Sequence, residues 1–582
     1  MKVSDFVIQF LRDKFSVDTI FTVSGGGCLF LIDSLGKTPG MKYIATHHEQ
    51  AAAIAAEGYA RLNNKLGACI VTSGPGGTNA ITGTLCSWLD SIPVIVISGQ
   101  VNKEMTTDYT QLPNLRQLGD QEFNIINSVR NMTKYAIQIN DPNQIKEHLE
   151  KACILACHGR PGPVWLDIPL NIQSAEIDPE KISGASPEWL SANTKKLEPS
   201  SEQIDLVIEK LKKSKKPLLI AGNGIRLAGA YDDLHFFLEK TKIPVITAVN
   251  GNDLVNNDYS SYFGRFGTHA QICANKLLNE CDFLLSVGSR LYVRQIGYNF
   301  NSFASQAYKC YVDVDTNELN KPTLHPDLKI NSDAKEFFKK INSHISYRAD
   351  QSWLDICSNL KKESPTVLER HRNKINTISH YHFIEKLEKH IPKNFHIVTS
   401  DGSANVVTMQ VLNLYGKQRL ITNTGCAPMG YGLPAALGAS VNHNVLCIEG
   451  DGSLHLNVHE LQTLKHYNLP VKLIILNNDG YLSIKISQKT FFGGKYVASE
   501  KNSGVSFPNF EKLINAYDLP YFKILNKNEI DSTLNEFFSI DGPSVCEVFT
   551  DPNELHEPKV IAKLNSEGNF IPGKLHNIEW IE

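Results

Sequence analysis

Short apolar runs that recur along the chain constrain its fold more than any other feature. "GACIVTS", "IPVIVISG", "PLLIAG", "VLCIEG" and "VKLIILN" are apolar at consecutive positions and rich in β-branched residues, without the alternation of a strand that has one wet face. Such strands are expected to be buried on both sides. Helical patterns lie between them, among them "HHEQAAAIAAEGYARL", "GGTNAITGTLCSWLD" and "LHLNVHELQTLKHYNLP". This alternation predicts parallel sheets covered by helices on both faces. A chain of 582 residues is too long for one core, and at roughly 150 residues per domain it should hold three or four.

The expected class is therefore α/β, with three doubly wound parallel-sheet domains. The first spans 1–180 and closes on the strand of "GRPGPVWLDIPLNI". The Ser-, Pro- and charge-rich "SAEIDPEKISGASPEWLSANTKKLEPSSEQ" reads as a linker. A second unit, 195–345, carries "PLLIAG", "IPVITAV", "FLLSVGS" and "KCYVDVD", and the polar helical stretch from Lys339 to Lys374 suits a connection. A third, 375–550, carries "FHIVTSDGS", "RLITNTG", "VLCIEGDGS" and "VKLIILNND". The remainder, 551–582, has little periodicity and is expected to lie across the surface as a tail.

Net charge is −3 with no basic block, which argues against nucleic acid or an anionic membrane as partner. No apolar run reaches membrane-spanning length. The start, "MKVSDFVIQFLRDKF", reads as an amphipathic helix and not a signal peptide. Twelve cysteines without a CxxC pair read as buried reduced thiols, and the expected location is cytoplasmic.

Chemistry concentrates in "IEGDGSLHLNVHELQTLKHYNLPVKLIILNNDGY". Two parallel strands deliver Asp451 and Asn478 to one sheet edge, where their oxygens suit Mg²⁺, with the Gly480 carbonyl as a third ligand. Gly452 and Ser453 can turn N–H groups towards an anion at a helix start. The metal would remove the repulsion between Asp451 and a diphosphate. Ordinary turn chemistry is the competing explanation for an isolated Gly-Asp-Gly.

Gly450-Asp451-Gly452 followed by Asn477-Asn478 resembles the signature of thiamine-diphosphate (ThDP) enzymes. The domain order resembles the acetolactate synthase-like branch: pyrimidine-binding, central and diphosphate-binding. "SGGGCLF", "HHEQAAAIAAEGYAR", "TSGPGGTNAITG", "GRPGPVWLDIP" and "TGCAPMGYGLPAALGA" add to the match, which covers essentially the entire chain. The resemblance implies that Glu49 hydrogen-bonds the cofactor's aminopyrimidine, acting on a cofactor held mainly by the partner subunit. It implies that Met429 wedges the cofactor into its V shape, with the Ala427 carbonyl near the 4′-amine. It also implies that Ser403, Ala404 and Asn405 form a second diphosphate loop, and that Gln121 lies near the reacting carbon.

The implied reaction takes a 2-keto acid, pyruvate first among candidates, removes CO₂ and passes the acyl unit to a carbonyl acceptor. Acetolactate formation or simple decarboxylation is the alternative. A homodimer or homotetramer with interfacial sites follows from the same comparison. The chain departs from the biosynthetic synthases at two places. Ser487 stands for their tryptophan and Asp120 for a phenylalanine, which implies a roomier, more polar acceptor site. "RLYVRQIGYNF", "NNDGYLSIKISQ" and "DPNELHEP" look more like a sub-branch of polysaccharide and secondary-metabolite carboligases, although Phe30 replaces a histidine expected there. In the central unit, Gly222 and Gly224 leave FAD, an ADP-like ligand or an empty domain open.

Overall fold

The computed structural model describes residues 1–561, 563–564 and 570–580. The first sheet contains β1 (Thr19–Thr22), β2 (Lys42–Ala45), β3 (Gly67–Val71), β4 (Val94–Gln100), β5 (Ala136–Gln138) and β6 (Val164–Pro169). The central sheet contains β7 (Pro217–Ala221), β8 (Val245–Thr247), β9 (Tyr262–Arg265), β10 (Phe283–Val287), β11 (Tyr308–Asp313) and β12 (Leu328–Asn331). The third contains β13 (Phe395–Thr399), β14 (Leu420–Ile421), β15 (Asn444–Gly450), β16 (Val471–Asn477), β17 (Tyr521–Ile524) and β18 (Ser544–Phe549). Each sheet has six strands and all pairs within it are parallel, so the doubly wound class predicted from the apolar runs is the observed one.

The first and third sheets share one topology. Their orders, β2-β1-β3-β4-β6-β5 and β14-β13-β15-β16-β18-β17, are identical when counted from each sheet's own first strand. The chain therefore reverses direction between β1 and β3, and again between β13 and β15. The central order, β12-β11-β10-β7-β8-β9, reverses between β7 and β10. Ligands of open parallel sheets bind beyond the carboxyl ends of the strands at such reversals.

Buried apolar clusters lie on both faces of the third sheet, one around Ile448, Ile474 and Leu476, the other around Cys447, Leu473 and Ile475. Helix Glu49–Asn63 crosses helix Gly432–Ala439 so closely that a Cβ on Gly58 would meet the Ala435 carbonyl oxygen at 2.2 Å. A Cβ on Gly438 would likewise meet the Ala55 oxygen at 1.8 Å. Buried Arg61 bridges Glu57 at 2.6 Å and Asp90 at 2.7 Å, and Asp90 accepts N–H groups from Thr424 and Gly425. First and third units are thus tied through a buried ion-paired cluster, where losing one partner is costly.

Several expectations need correction. The helix after β15 is broken into Asp451–Leu454, a 3₁₀ turn at His455–Asn457, and Glu460–His466. "GGTNAITGTLCSWLD" falls into two helices, Pro75–Asn79 and Ile81–Asp90. The linker holds a helix, Pro187–Thr194, capped by the Ser186 hydroxyl accepting from the Trp189 N–H. The tail does not simply lie across the surface. Glu554, His556 and Glu557 are buried, and the Val560 and Asp551 N–H groups donate to the Thr268 and Ile378 carbonyls. A local search for periodicity misses this segment because its partners are side chains of distant elements.

Candidate active site

At the third sheet's reversal the register sets the geometry. Gly450 pairs with Leu476, so β15 and β16 end together and place Asp451 beside Asn478. Asp451 is 2% exposed. Its Oδ1 accepts from the Gly452 N–H at 2.7 Å, and its Oδ2 from Asn478 N–H at 2.9 Å and Gly480 N–H at 3.3 Å. Burial pushes the carboxyl up to about 7, against the opposing pull of these N–H donors.

Asn478 Oδ1 is buried without a hydrogen-bond partner. An orphaned hard oxygen beside a buried carboxylate costs free energy unless a donor or a cation meets it, and a divalent cation would meet both groups. These residues fit Mg²⁺. The Gly452 N–H, expected to face an anion, is instead taken by Asp451. The glycine serves by lacking a side chain, since a Cβ there would meet the Tyr481 ring at 2.3 Å. Gly480, at φ +152, packs against the Ser499 carbonyl, and a Cβ there would be 2.6 Å away.

The neighbouring loops converge on the same edge. Ser453 Oγ accepts from the Gly430 N–H at 2.8 Å, and Asn457 Nδ2 donates to the Gly430 carbonyl at 2.7 Å. These bonds pin the Ala427–Gly430 segment, with half-buried Met429, onto the turn that carries Asp451. Ala427 has φ +53, a left-handed conformation that is uncommon for a residue with a Cβ, and its N–H donates to Asn423 Oδ1 at 3.2 Å.

After β13, helix Ser403–Val411 starts with Ser403, Ala404 and Asn405 all buried. Asn405 Nδ2 donates to Thr422 Oγ1, while Ser403 Oγ lies 2.8 Å from His556 Nε2. Burial pushes His556 down to about 3, so the ring is neutral. His556 comes from the tail and was not foreseen. A histidine among acids and prolines reads as a surface residue until its position in the fold is known.

The first sheet supplies the other group. Glu49 opens helix Glu49–Asn63 after the N-cap His48, and it is 9% exposed. Its Oε2 accepts from Asn79 Nδ2 at 2.9 Å, and a Cβ on Gly76 would stand 3.5 Å from its Oε1. Gln121 is exposed, with φ +57, and its carbonyl packs on Gly74 of the same loop. Glu49 and Gln121 are therefore gathered at the loop after β3. Among the described residues no hydrogen bond joins this group to the Asp451–Asn478 group.

Between the first and central units a cavity of about 590 Å³ opens at the β7–β10 reversal, lined by Asn223, Gly224, Gly288 and Arg290 on one side and by Asp90 and Arg160 on the other. A Cβ on Gly222 would meet the Gly288 oxygen at 2.2 Å, so backbone replaces side chain at this wall. Burial pushes Asp313 up to about 6.

Three profiles match the chain: thiamine pyrophosphate enzyme, N-terminal TPP binding domain, over 1–124; central domain, over 204–341; and C-terminal TPP binding domain, over 401–548. The acetolactate synthase isozyme 2 large subunit of Escherichia coli is 31% identical over 563 residues, 96% of this chain and 97% of that protein. The acetolactate synthase large subunit of Lactococcus lactis is 30% identical over 574 residues, 97% of this chain and 95% of its own length. A probable acetolactate synthase large subunit of Methanocaldococcus jannaschii is 31% identical over 563 residues, covering 95% and 93%. With the matching profiles and these full-length relatives in view, the chain belongs to the thiamine-diphosphate-dependent enzymes of the acetolactate synthase-like family.

Proposed function

We propose that this enzyme removes CO₂ from a 2-keto acid, pyruvate in the first instance, and transfers the two-carbon acyl unit to a ketone, aldehyde or ketosugar. The observation that carries the cofactor reading is the buried Asp451 carboxylate beside the partnerless Asn478 Oδ1. Asp451, Asn478 and the Gly480 carbonyl would hold Mg²⁺. Ser403, Ala404, Asn405, Gly452 and Ser453 would line the diphosphate site. ThDP, when bound, supplies the electron sink for loss of CO₂.

The chain's own residues orient and shield. Met429 and the Ala427 carbonyl would lie against the cofactor and favour its bent form, and Glu49 would share a proton with its pyrimidine ring. Gln121, on the adjoining loop, would lie near the reacting carbon. Exposed Asp120 and Ser487, where the biosynthetic synthases carry aromatics, support a polar acceptor and the carboligase sub-branch. The named relatives favour a second reading, acetolactate formation from two keto acids. Pyruvate with ThDP and Mg²⁺, followed by NMR with and without ketosugars, separates the two. A ketosugar adduct is expected, and acetolactate alone would overturn the acceptor assignment.

On this reading each chain carries two half-sites and the active form is a homodimer, alone or paired into a tetramer, in which Glu49 serves the cofactor held by the partner's third domain. Exposed Tyr109, Leu112 and Leu118 near Gln121, and Ile484 and Phe492 near Asn478, are the apolar surface such an interface would cover. Domain limits of 1–180, 195–345 and 375–550, with a segment 551–582, accompany this reading. The central cavity suits an FAD- or ADP-like ligand, and the close Gly222–Gly288 approach is its support. No described helix is long and apolar enough to cross a membrane.

Two outcomes follow locally. His556→Leu leaves the Ser403 hydroxyl buried without its partner, so ThDP affinity is expected to fall about tenfold, read by cofactor titration. Protons compete with Mg²⁺ for Asp451, because its carboxyl is pushed up to about 7. Apparent Mg²⁺ affinity is therefore expected to rise about tenfold per unit as pH climbs towards 7 and to level off above it, in calorimetric titrations. In the metal-free protein the same raised value contributes stability at low pH, below an unfolded value near ~4, that is lost as pH rises through about 7.

A further inference from the structure

Glu460 is fully buried, yet it stands on the helix that follows the metal-site turn. Its Oε1 accepts two backbone N–H groups from the first domain, His47 at 2.9 Å and His48 at 3.1 Å. Its Oε2 accepts the Thr463 hydroxyl at 2.6 Å. That proton is then committed, so Thr463 Oγ1 accepts from His47 Nδ1 at 3.1 Å. His48 in turn caps the next helix, its Nδ1 accepting the Gln50 N–H at 3.1 Å. One buried carboxylate thus fixes both peptides immediately before Glu49.

We propose that Glu460 is a positioning residue for Glu49, braced from the third domain of the same chain, and that it acts on the active site completed by the partner. This rests on the interfacial reading above. Asp451 and Glu460 lie on one continuous segment, but on that reading they serve opposite sites: Asp451 its own protomer's cofactor, Glu460 the partner's through Glu49. A buried acid whose partners are peptide N–H groups holds backbone position, and small displacements of a reacting group cost orders of magnitude in rate.

The test is subunit complementation in dimers isolated with two affinity tags. Glu460→Ala homodimers are expected to lose at least about tenfold in kcat and in C2–H exchange of bound ThDP at saturating cofactor. Glu460→Gln, which retains an oxygen for both N–H groups, is expected to recover most of that loss. A heterodimer with Glu460→Ala on one protomer and Asp451→Asn on the other places both defects in one site and is expected to keep about half of wild-type activity. Placing both substitutions on one protomer opposite a wild-type partner damages both sites and is expected to leave no more than about one twentieth of wild-type activity.

The reverse pattern, equal activity of the two arrangements, or wild-type turnover in Glu460→Ala would overturn the proposal. Should the alanine variant fail to assemble, Glu460→Met fills the volume without an acceptor and is read in the same way. A control heterodimer pairing Glu49→Gln with Asp451→Asn checks the interfacial reading by itself. If that control is inactive, the interfacial site falls and this proposal with it; if it is half-active, the outcome belongs to Glu460 alone.

Discussion

Glu49→Gln is expected to lower turnover by about 10²–10⁴-fold while leaving Mg²⁺-dependent ThDP affinity within a few-fold of wild type. The amide keeps the volume and can still accept from Asn79 Nδ2, which bonds the carboxylate at 2.9 Å. What it cannot do is share a proton with a ring nitrogen. The loss therefore appears in kcat and in C2–H exchange, not in binding. Activity within threefold of wild type would remove Glu49 from the reaction.

Asp451→Asn is expected to act on binding. Its Oδ1 and Oδ2 accept three backbone N–H groups, from Gly452, Asn478 and Gly480, so an amide NH₂ would face donors on at least one side. The negative charge that holds the cation is also lost. Substitutions that only reach a metal's outer shell cost 10–100-fold, so removing this carboxylate is expected to cost at least about 100-fold in Mg²⁺ and ThDP affinity. Circular dichroism or fluorescence titration of the cofactor reads it, and an unchanged affinity would place the metal elsewhere.

How much of this could be read from sequence depended on whether a residue's role was local. β15 and β16 announced themselves because strands buried on both faces carry unbroken apolar runs, and their ends placed Asp451 and Asn478 together. β2, at a sheet edge, has three of its four residues exposed and β17 is only partly buried, so neither carries such a run and both were missed. β18, "SVCEVF", is apolar but interrupted by Glu547, whose carboxylate pairs with Asn477 and Tyr521 across neighbouring strands.

The same division holds for the site. Glu49 was singled out through the resemblance carried by its alanine-rich segment, a helix that packs close enough that Gly58 and Gly438 admit no side chain. Glu460 was not, because an acid in an amphipathic helix reads as a solvated face. Its partners, His47 and His48, are more than 400 residues away. His556 escaped for the same reason, since its partner Ser403 is 153 residues distant.

The most direct measurement of the central claim is CO₂ release from pyruvate by the purified protein with ThDP and Mg²⁺, products followed by NMR, beside Glu49→Gln and Asp451→Asn. The expected result is release that needs both cofactors and collapses in each variant. Release that persists in Glu49→Gln, or proceeds without ThDP, would contradict it.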